Sequence, residues 1–341
     1  MQRYRIGVLM GGSSSEVQIS LQSGQAVYEH LDPSLFEPYR IHILPSGWYV
    51  LDDEGRSHEV DRNDFSCRMN GQKVQFDALF NAIHGKPGED GTLQGYLELL
   101  GIPYTGCAPL EMALTFDKAA CNVQAAVLGV PTAPSVHTAA TADPATVRQQ
   151  CADRGLRLPV FVKPTRSGSS FGVTKVNRWD DLAAALAEAG KESPFALVEQ
   201  GVLGTEVGCG VARLNGQTTV LEITEIVSQN EFFDYEAKYQ GASQEITPAR
   251  LSKATAEEIH ALAHRLYEGM HLRGVVRCDF IVDQTTGRPT LIEINSVPGL
   301  GPASIVPQQV LAGGRTLTDF FTLLLHETLS DAQNRTFSRV L

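Results

Sequence analysis

The sequence predicts an α/β protein with more than one domain, on three observations. The chain has 341 residues, which is too long for one simple hydrophobic core and suggests two or three domains. An apolar strand over 5–10 runs through Gly11-Gly12 into an amphipathic helix over 17–30, the order found in α/β nucleotide-binding units. Two antiparallel hairpins are predicted later, over 207–227 and over 275–295, where apolar segments flank turn residues.

Composition narrows the classes of function. Hydrophobic residues make up 43% of the chain and charged residues 20%, which is typical of a folded protein. The net charge of −11 argues against a sequence-independent nucleic-acid binder, although a local cluster of amides and cations can still hold a phosphate. No apolar run is long enough for a membrane span, and residues 1–6 lead into a strand rather than a signal peptide. We therefore expect a cytoplasmic protein with no nucleic-acid or membrane partner. The six cysteines have no paired spacing, so we expect free thiols in a reducing compartment.

The N-terminal third contains two glycine-rich turns. Gly11-Gly12 lacks both the dinucleotide fingerprint and the P-loop lysine, so it is either a tight turn or, with Glu16, one side of a ligand site. Strands are predicted over 40–44, 48–51 and 76–83, a helix over 92–100, and polar loops over 52–73. The loop beginning at His84, His-Gly-Lys-Pro-Gly-Glu-Asp-Gly, follows a strand, and it is either a site or a solvated connector.

The middle third contains a second candidate site. One helix is predicted over 110–128, carrying Asp117-Lys118 and ending before Pro131. A buried strand over 159–163 ends in Lys163, and a second strand is predicted over 173–176. The tip between them is small and rich in hydroxyls and exposed amides. It is either a flexible surface hairpin or a cover for phosphates, and the lysine at the strand end favours the second interpretation.

The last third contains the clearest chemical pattern. Side chains alternate faces along a strand, so a hairpin turning about 284–288 sets Asp279 opposite Glu293 and Arg277 opposite Asn295. Two facing carboxylates repel each other, and a divalent cation removes the conflict. Oxygen ligands suit Mg²⁺ or Mn²⁺. The alternative is a solvated face on which the arginine offsets the acids. Helices are also predicted over 254–271 and 317–329.

Taken in order, several motifs resemble the D-alanine–D-alanine ligase family of the ATP-grasp superfamily. The resemblance extends from Ile6 to about Gly314 and is specific because of the whole ordered set. The motifs are His84-Gly-x-x-Gly-Glu-Asp-Gly-Thr-x-Gln-Gly, Asp117-Lys118, Val162-Lys163-Pro with Gly168-Ser-Ser-x-Gly172, Asp234-Tyr-Glu-Ala-Lys-Tyr239, Arg277-x-Asp279, and Glu293-Ile-Asn295 with Pro298-Gly299.

The resemblance implies an ATP-grasp fold of three α/β domains, over 1–111, 112–204 and 205–341, with ATP between the central and C-terminal ones. It implies ATP-dependent ligation of two D-alanines through a D-alanyl phosphate, for peptidoglycan synthesis. It also implies two Mg²⁺ ions and a homodimer.

The resemblance further implies roles for individual residues. Catalysis is expected to involve Glu16, Ser169, Tyr239, Arg277 and Gly299. Substrate binding is expected at Glu16, His84, Arg277, Gly299 and Ser304. ATP is expected to contact Lys118, Lys163, Ser169, Ser170, Glu199, Glu206 and Lys238. The metal ligands are expected to be Asp279, Glu293 and Asn295.

The sequence departs from the family pattern beside the second substrate. Phe233 replaces a frequent tyrosine, Val297 a common methionine, and Leu300-Gly301 an apolar–threonine pair. Lys238-Tyr239 matches the dipeptide-forming type, so a D-alanine–D-lactate ligase or another ATP-grasp carboxylate–amine ligase is the alternative.

Overall fold

Three β-sheets follow one another along the chain in a computed structural model that describes residues 3–228 and 243–338. The first sheet has the order β6-β5-β4-β3-β2-β1-β7, and β1 pairs in parallel with both β2 and β7. Helix α1 spans Val17–His30, as predicted, and α2 spans Thr92–Leu100. The strands are β1 Tyr4–Gly11, β2 Phe36–Leu44, β3 Gly47–Leu51, β4 Ser57–Asp61, β5 Ser66–Met69, β6 Gln72–Val74 and β7 Ala78–Asn81.

The prediction of loops over 52–73 is wrong, because β4, β5 and β6 lie there and extend the sheet. These strands are three to five residues long, and each buries only part of its length. Val60, Phe65 and Cys67 are buried among exposed polar residues. The average composition of the segment therefore conceals the short apolar anchors that attach it to the sheet.

The predicted single helix over 110–128 is also wrong. The segment forms α3 (Pro109–Phe116) and α4 (Lys118–Val127), separated at Asp117, whose backbone is extended. The Asp117 carboxylate accepts hydrogen bonds from the backbone amides of Ala119 and Ala120, both at 3.1 Å, and so caps α4. Lys118 is thereby fixed in the first turn of α4.

The second sheet has the order β10-β9-β11-β8, and all of its pairs are antiparallel. The predicted hairpin of β9 and β10 is confirmed, whereas β8 had no sequence prediction. Two helices and a short 3₁₀ turn accompany this sheet. The elements are β8 Ser135–Ala139, α5 Pro144–Asp153, β9 Val160–Pro164, β10 Thr174–Val176, the 3₁₀ turn Trp179–Asp181, α6 Leu182–Ala189 and β11 Phe195–Gln200.

The third sheet has the order β14-β13-β12-β15-β16. The predicted register of β15 and β16 is confirmed, since Asp279 pairs with Glu293 and Arg277 with Asn295. A bulge follows Asp279 and shifts the pairing of the outer half of the hairpin. The elements are β12 Gly204–Leu214, β13 Gln217–Ser228, β14 Ser243–Ile246, α7 Lys253–Gly269, β15 Val275–Asp283 and β16 Pro289–Asn295.

The cores combine segments that are distant in sequence. Helices α8 (Ile305–Ala312) and α9 (Leu317–Ser338) follow the third sheet, yet α9 packs on the first. Its Phe321 meets Phe80 of β7 edge to face at 5.6 Å between ring centroids, inside the core that also contains Ile6. Helices α3 and α4 pack on β16 of the third sheet. Across the described ranges, no helix combines the length and the apolar character needed to cross a bilayer.

Candidate active site

Two clefts meet at the β15–β16 hairpin. The first, which we call the strand cleft, lies between the second and third sheets. Its walls are largely apolar, and its charged groups project from strand ends and from α4. Its lining includes Lys118, Phe161, Lys163, Ser170, Phe171, Glu199, Glu206, Ile281, Leu291 and Glu293.

Opposite charges pair with each other inside the strand cleft. Lys163 Nζ lies 2.5 Å from Glu199 Oε2, and Asn122 donates to the other oxygen of that carboxylate at 3.2 Å. Lys118 Nζ lies 3.0 Å from Glu293 Oε2. Burial lowers the pKa of Lys118, but the nearby carboxylates, Glu293 before Glu16 and Glu89, together outweigh burial and raise this pKa, so the lysine is charged. The cleft thus holds two half-buried cations that are balanced by carboxylates.

The second cleft, the loop cleft, is bounded by α1, the loop after β7 and the chain after β16. Ser304, at the N-terminus of α8, lies so near Gly299 that a side chain on this glycine would come within 2.9 Å of the serine hydroxyl. The lining includes Glu16, Ser23, His84, Glu89, Ser169, Glu245, Arg277, Asn295, Pro298, Gly299 and Ser304. All five residues predicted to bind substrate therefore line one cavity.

The hairpin tip of the second sheet closes onto the first sheet. Ser169 Oγ donates to Glu16 Oε1 at 2.5 Å. A Cβ atom on Gly168 would lie 2.2 Å from Glu16 Oε2, so any side chain here would displace the Glu16 carboxylate. Ser169 and Ser170 have φ of 48° and 60°, a conformation that is unfavourable for residues with a side chain and is concentrated at functional sites. Tyr239, the third member of the predicted group, and Lys238 lie outside the described residues.

The predicted metal ligands surround Asp279 on the hairpin. Arg277 donates to both oxygens of the Asp279 carboxylate, from Nε at 2.7 Å and from Nη2 at 2.8 Å. Asn295 Nδ2 donates to Asp279 Oδ2 at 2.8 Å, which turns the amide oxygen away from it. Within the described ranges no group of three or more His, Cys, Asp or Glu is placed to hold a metal ion. The predicted set contains only two carboxylates and adds an amide. This all-oxygen donor set fits Mg²⁺.

His84 is buried, and its Nε2 lies 2.9 Å from Ser23 Oγ. Burial lowers the pKa of His84 to about 4, against the raising effect of a hydrogen bond to the Val297 backbone. The imidazole is therefore neutral at neutral pH, and its Nε2 has a protein partner in Ser23.

Sequence reasoning missed Ser23 and Glu89. Glu89 is buried and accepts the amides of Gly85 at 2.6 Å and Val297 at 3.2 Å. Burial, reinforced by the charge of Glu16, raises the pKa of Glu89. Glu89 was detectable as the acid within the glycine-rich loop. Ser23 had only a weak signal, its position one turn after Ser20 on the same face of α1.

Two family models cover most of the chain. The model described as D-ala D-ala ligase N-terminus matches residues 5–107, and the model described as D-ala D-ala ligase C-terminus matches residues 125–326. The chain is 43% identical to a D-alanine–D-alanine ligase from Flavobacterium johnsoniae, over 95% of this chain and 99% of the relative. The chain belongs to the D-alanine–D-alanine ligase family.

Solved structures agree with membership of the D-alanine–D-alanine ligase family. The structure of D-alanyl-alanine synthetase A from Vibrio cholerae superposes with a TM-score of 0.87 at 30% identity, over 97% of this chain and 99% of that chain. A D-Ala:D-Ser ligase from Enterococcus faecalis gives a TM-score of 0.84 at 30% identity, over 95% and 99%. The family assignment, the ATP-grasp α/β fold class and the ATP-dependent ligation of two D-alanines are thus confirmed, and a role in peptidoglycan synthesis is consistent with them.

Proposed function

We propose that the strand cleft binds ATP, that the loop cleft binds both D-alanines, and that the reaction takes place where the clefts meet. One observation carries this proposal. Glu293 lines the strand cleft, whereas Arg277 and Asn295, on the same hairpin, line the loop cleft. A γ-phosphate at the inner end of the first cleft therefore comes within reach of a carboxyl group held in the second. The tip of the β9–β10 hairpin is divided in the same way, since Ser170 lines the strand cleft and Ser169 lines the loop cleft.

The strand cleft matches the parts of ATP. Lys118 and Lys163 offset the charge of the phosphates, and the amides of Ser169 and Ser170 cap them. Glu199 accepts from the exocyclic amine of adenine, between walls that include Phe161 and Phe171. Two further residues complete the ATP site, Glu206 at the ribose hydroxyls and Lys238 beside the phosphates.

Asp279, Glu293 and Asn295 would hold two Mg²⁺ ions. When bound, these ions supply positive charge that offsets the charge on the transferred phosphoryl group. In this structure Arg277 and Lys118 balance the two carboxylates, which explains how two acids can face each other on adjacent strands.

The protein groups then guide two nucleophilic attacks. Glu16 holds the ammonium group of the first D-alanine, close to His84. The carboxylate of this D-alanine attacks the γ-phosphorus of ATP to give D-alanyl phosphate and ADP. Ser304 holds the carboxylate of the second D-alanine, whose neutral amine attacks the acyl carbon. The tetrahedral oxyanion accepts hydrogen bonds from Arg277 and the Gly299 amide. Loss of a proton from nitrogen and departure of phosphate give the dipeptide.

The hydrogen bond between Ser169 and Glu16, with Tyr239 as the third member of the group, closes the site. Closure excludes water, which matters because an acyl phosphate hydrolyses readily.

The test is release of ADP on adding D-alanine to the protein with ATP and Mg²⁺, together with detection of the dipeptide. We expect one ADP for each dipeptide formed. ATP turnover that is indifferent to D-alanine contradicts the proposal.

D-Serine competes with D-alanine as a candidate for the second substrate. The Enterococcus faecalis D-Ala:D-Ser ligase and the Vibrio cholerae synthetase have the same sequence identity to this chain, 30%. Lys238-Tyr239 supports D-alanine over D-lactate. Competition between D-alanine, D-serine and D-lactate as second substrate, measured from pH 6 to 9, tests this. A product containing mainly lactate or serine at neutral pH overturns the choice of D-alanine.

We also propose that each predicted domain, 1–111, 112–204 and 205–341, is organised around one of the three sheets, with α9 returning to the first. A homodimer is supported by four exposed apolar side chains on the consecutive helices α2, α3 and α4, namely Leu99, Leu110, Val123 and Val127. Light scattering of the wild type and of Leu99→Lys/Val127→Lys tests this surface, and a wild-type monomer contradicts it.

We propose a cytoplasmic location as well. Its supports are the use of ATP and the six cysteines, all of them buried and unpaired. Fractionation of cells expressing the tagged chain tests it, and recovery outside the cytoplasm contradicts it.

A further inference from the structure

Two side chains of the N-terminal third, those of Ser23 and Glu89, hold one short loop of the C-terminal third. The loop is Val297-Pro-Gly-Leu300, which we call the 297–300 loop. The Val297 amide donates to Glu89 Oε1 at 3.2 Å, and the Leu300 amide donates to Ser23 Oγ at 3.1 Å. Both contacts are buried, and they join residues 208 and 277 positions apart in sequence. His84 connects the two contacts, because its Nε2 lies 2.9 Å from Ser23 Oγ and the next residue, Gly85, donates its amide to Glu89 Oε2 at 2.6 Å.

The contacts select one amide of the loop. Pro298 has no N–H group, and the N–H groups of Val297 and Leu300 are bonded to Glu89 and Ser23. The remaining N–H group, that of Gly299, has no hydrogen-bond partner within residues 3–228 and 243–338. Gly299 is partly exposed and lines the loop cleft. The loop is thus anchored on both sides of the single donor that can reach a ligand.

The anchors are themselves rigidly held. Glu89 Oε2 accepts the Gly85 amide at 2.6 Å, so the carboxylate joins its own loop to the 297–300 loop. Ser23 lies in the middle of α1, is 1% exposed, and uses its hydroxyl both for Leu300 and for His84. Rigid supports matter because a displacement of about 1 Å in a donor can reduce turnover about 100-fold.

We propose that Ser23 and Glu89 are positioning residues, with His84 as their link, that orient the Gly299 amide toward the tetrahedral oxyanion. The inference rests on the proposed function, since it assigns the geometry of the oxyanion site to side chains of the first sheet's domain. These residues touch no reacting atom. They act by fixing the 297–300 loop.

A matched pair of serines on α1 provides the test. Ser20 is also buried, and its hydroxyl accepts the Gly11 amide and donates to the Ala82 carbonyl, both at 2.8 Å. Ser20→Ala therefore removes two buried hydrogen bonds inside the first sheet's domain. Ser23→Ala also removes two, one to His84 and one that reaches the 297–300 loop. We expect similar losses of thermal stability, but a kcat about tenfold or more lower in Ser23→Ala alone, with KM for ATP within about twofold of wild type.

A second variant and a second measurement keep the test decisive. Glu89→Gln preserves the shape of the side chain, but it directs an amide donor at one of two backbone N–H groups, so we expect the same fall in kcat. A phosphinate analogue of the dipeptide carries tetrahedral oxygens, and both variants should bind it more weakly by the factor lost in kcat/KM.

Equal kcat in Ser20→Ala and Ser23→Ala, or unchanged phosphinate affinity in Ser23→Ala and Glu89→Gln, overturns the inference. Absence of D-alanine-dependent ADP release in the wild type contradicts the proposed function instead, so the two failures are distinguishable.

Discussion

The two clefts hold their ionisable groups in different ways. In the strand cleft, charges are held by other charges, as in the pairs Lys163–Glu199 and Lys118–Glu293. In the loop cleft, the buried acids Glu16 and Glu89 are held by hydroxyl and amide groups. A phosphate or a metal ion can replace one member of an ion pair without leaving a charge unmatched. A charged ligand cannot replace a backbone amide in the same way, because the amide belongs to the protein chain and carries no charge.

The difference indicates a division of labour. We propose that the ion pairs of the strand cleft exchange partners when a charged ligand enters, whereas the hydrogen bonds of the loop cleft keep their geometry. Arg277 belongs to both arrangements, because it lines the loop cleft and its partner Asp279 belongs to the proposed metal set. Substitutions in the two clefts should therefore fail in different steps.

The largest effect is expected for Arg277→Ala. In the proposed mechanism its charge acts on the reacting carboxyl group, so we expect kcat to fall about 100- to 1,000-fold, the loss typical of removing one oxyanion donor. The dissociation constant for ATP, measured by calorimetry, should change only a few-fold. Equal losses in turnover and in ATP affinity would remove Arg277 from the chemical step.

Lys163→Met should weaken ATP binding about 10- to 100-fold, because a charge-assisted hydrogen bond to phosphate is lost. It also leaves the Glu199 carboxylate, which is 5% exposed, without its cation. Without nucleotide, Lys163→Met/Glu199→Gln should therefore be more stable than Lys163→Met, by about 1 kcal/mol. Denaturant unfolding measures this difference. A double variant no more stable than Lys163→Met would show that the pair is not a balanced one.

The pH dependence of the stability of His84→Gln tests whether His84 is buried and neutral in the loop cleft. The pKa of His84 is about 4 in the folded protein, against its ordinary 6.5, so the unfolded chain takes up the proton first as pH falls. Wild-type stability should therefore include a contribution that is complete above pH 6.5 and declines toward pH 4, by ~2 kcal/mol at pH 5. Glu89, whose pKa is raised, contributes with the opposite sign.

The measurement is therefore the difference between His84→Gln and wild type in urea unfolding at pH 7.5 and pH 5. If His84 is buried and neutral, this difference narrows at low pH. A difference that is constant with pH would mean that the ring is hydrated.

The smallest effect is expected for Asp117→Ala. It removes the cap of α4 and the contact of Asp117 with Arg166, which is largely exposed, so we expect a loss of about 1 kcal/mol in stability. KM for ATP should rise a few-fold, because Lys118 is in the first turn of α4. Asp117→Asn retains a capping oxygen and serves as the control. A KM unchanged in Asp117→Ala would separate the cap from the placement of the lysine.

The sequence predicted those features that depend on local periodicity. The register of Asp279 with Glu293 follows from strand alternation and from the turn at Gly287, so it was available in advance. The break at Asp117 was not, because apolar residues continue on both sides and only the backbone geometry reveals a cap. The contact of His84 with Ser23 could not be predicted from local sequence at all. Ser23 is 61 positions away, and only the packing of three chain segments brings them together.

Helix α9 has a consequence for how the protein is made. The first sheet's core contains Ile6, Val8 and Phe80, but also Phe320 and Phe321 near the other end of the sequence. During synthesis the amino-terminal segments emerge first, while the surface that receives α9 stays uncovered until more than 300 residues have been translated. The second sheet, whose core is drawn from 136–198, can be completed earlier. During synthesis, therefore, the middle of the chain can fold before its beginning.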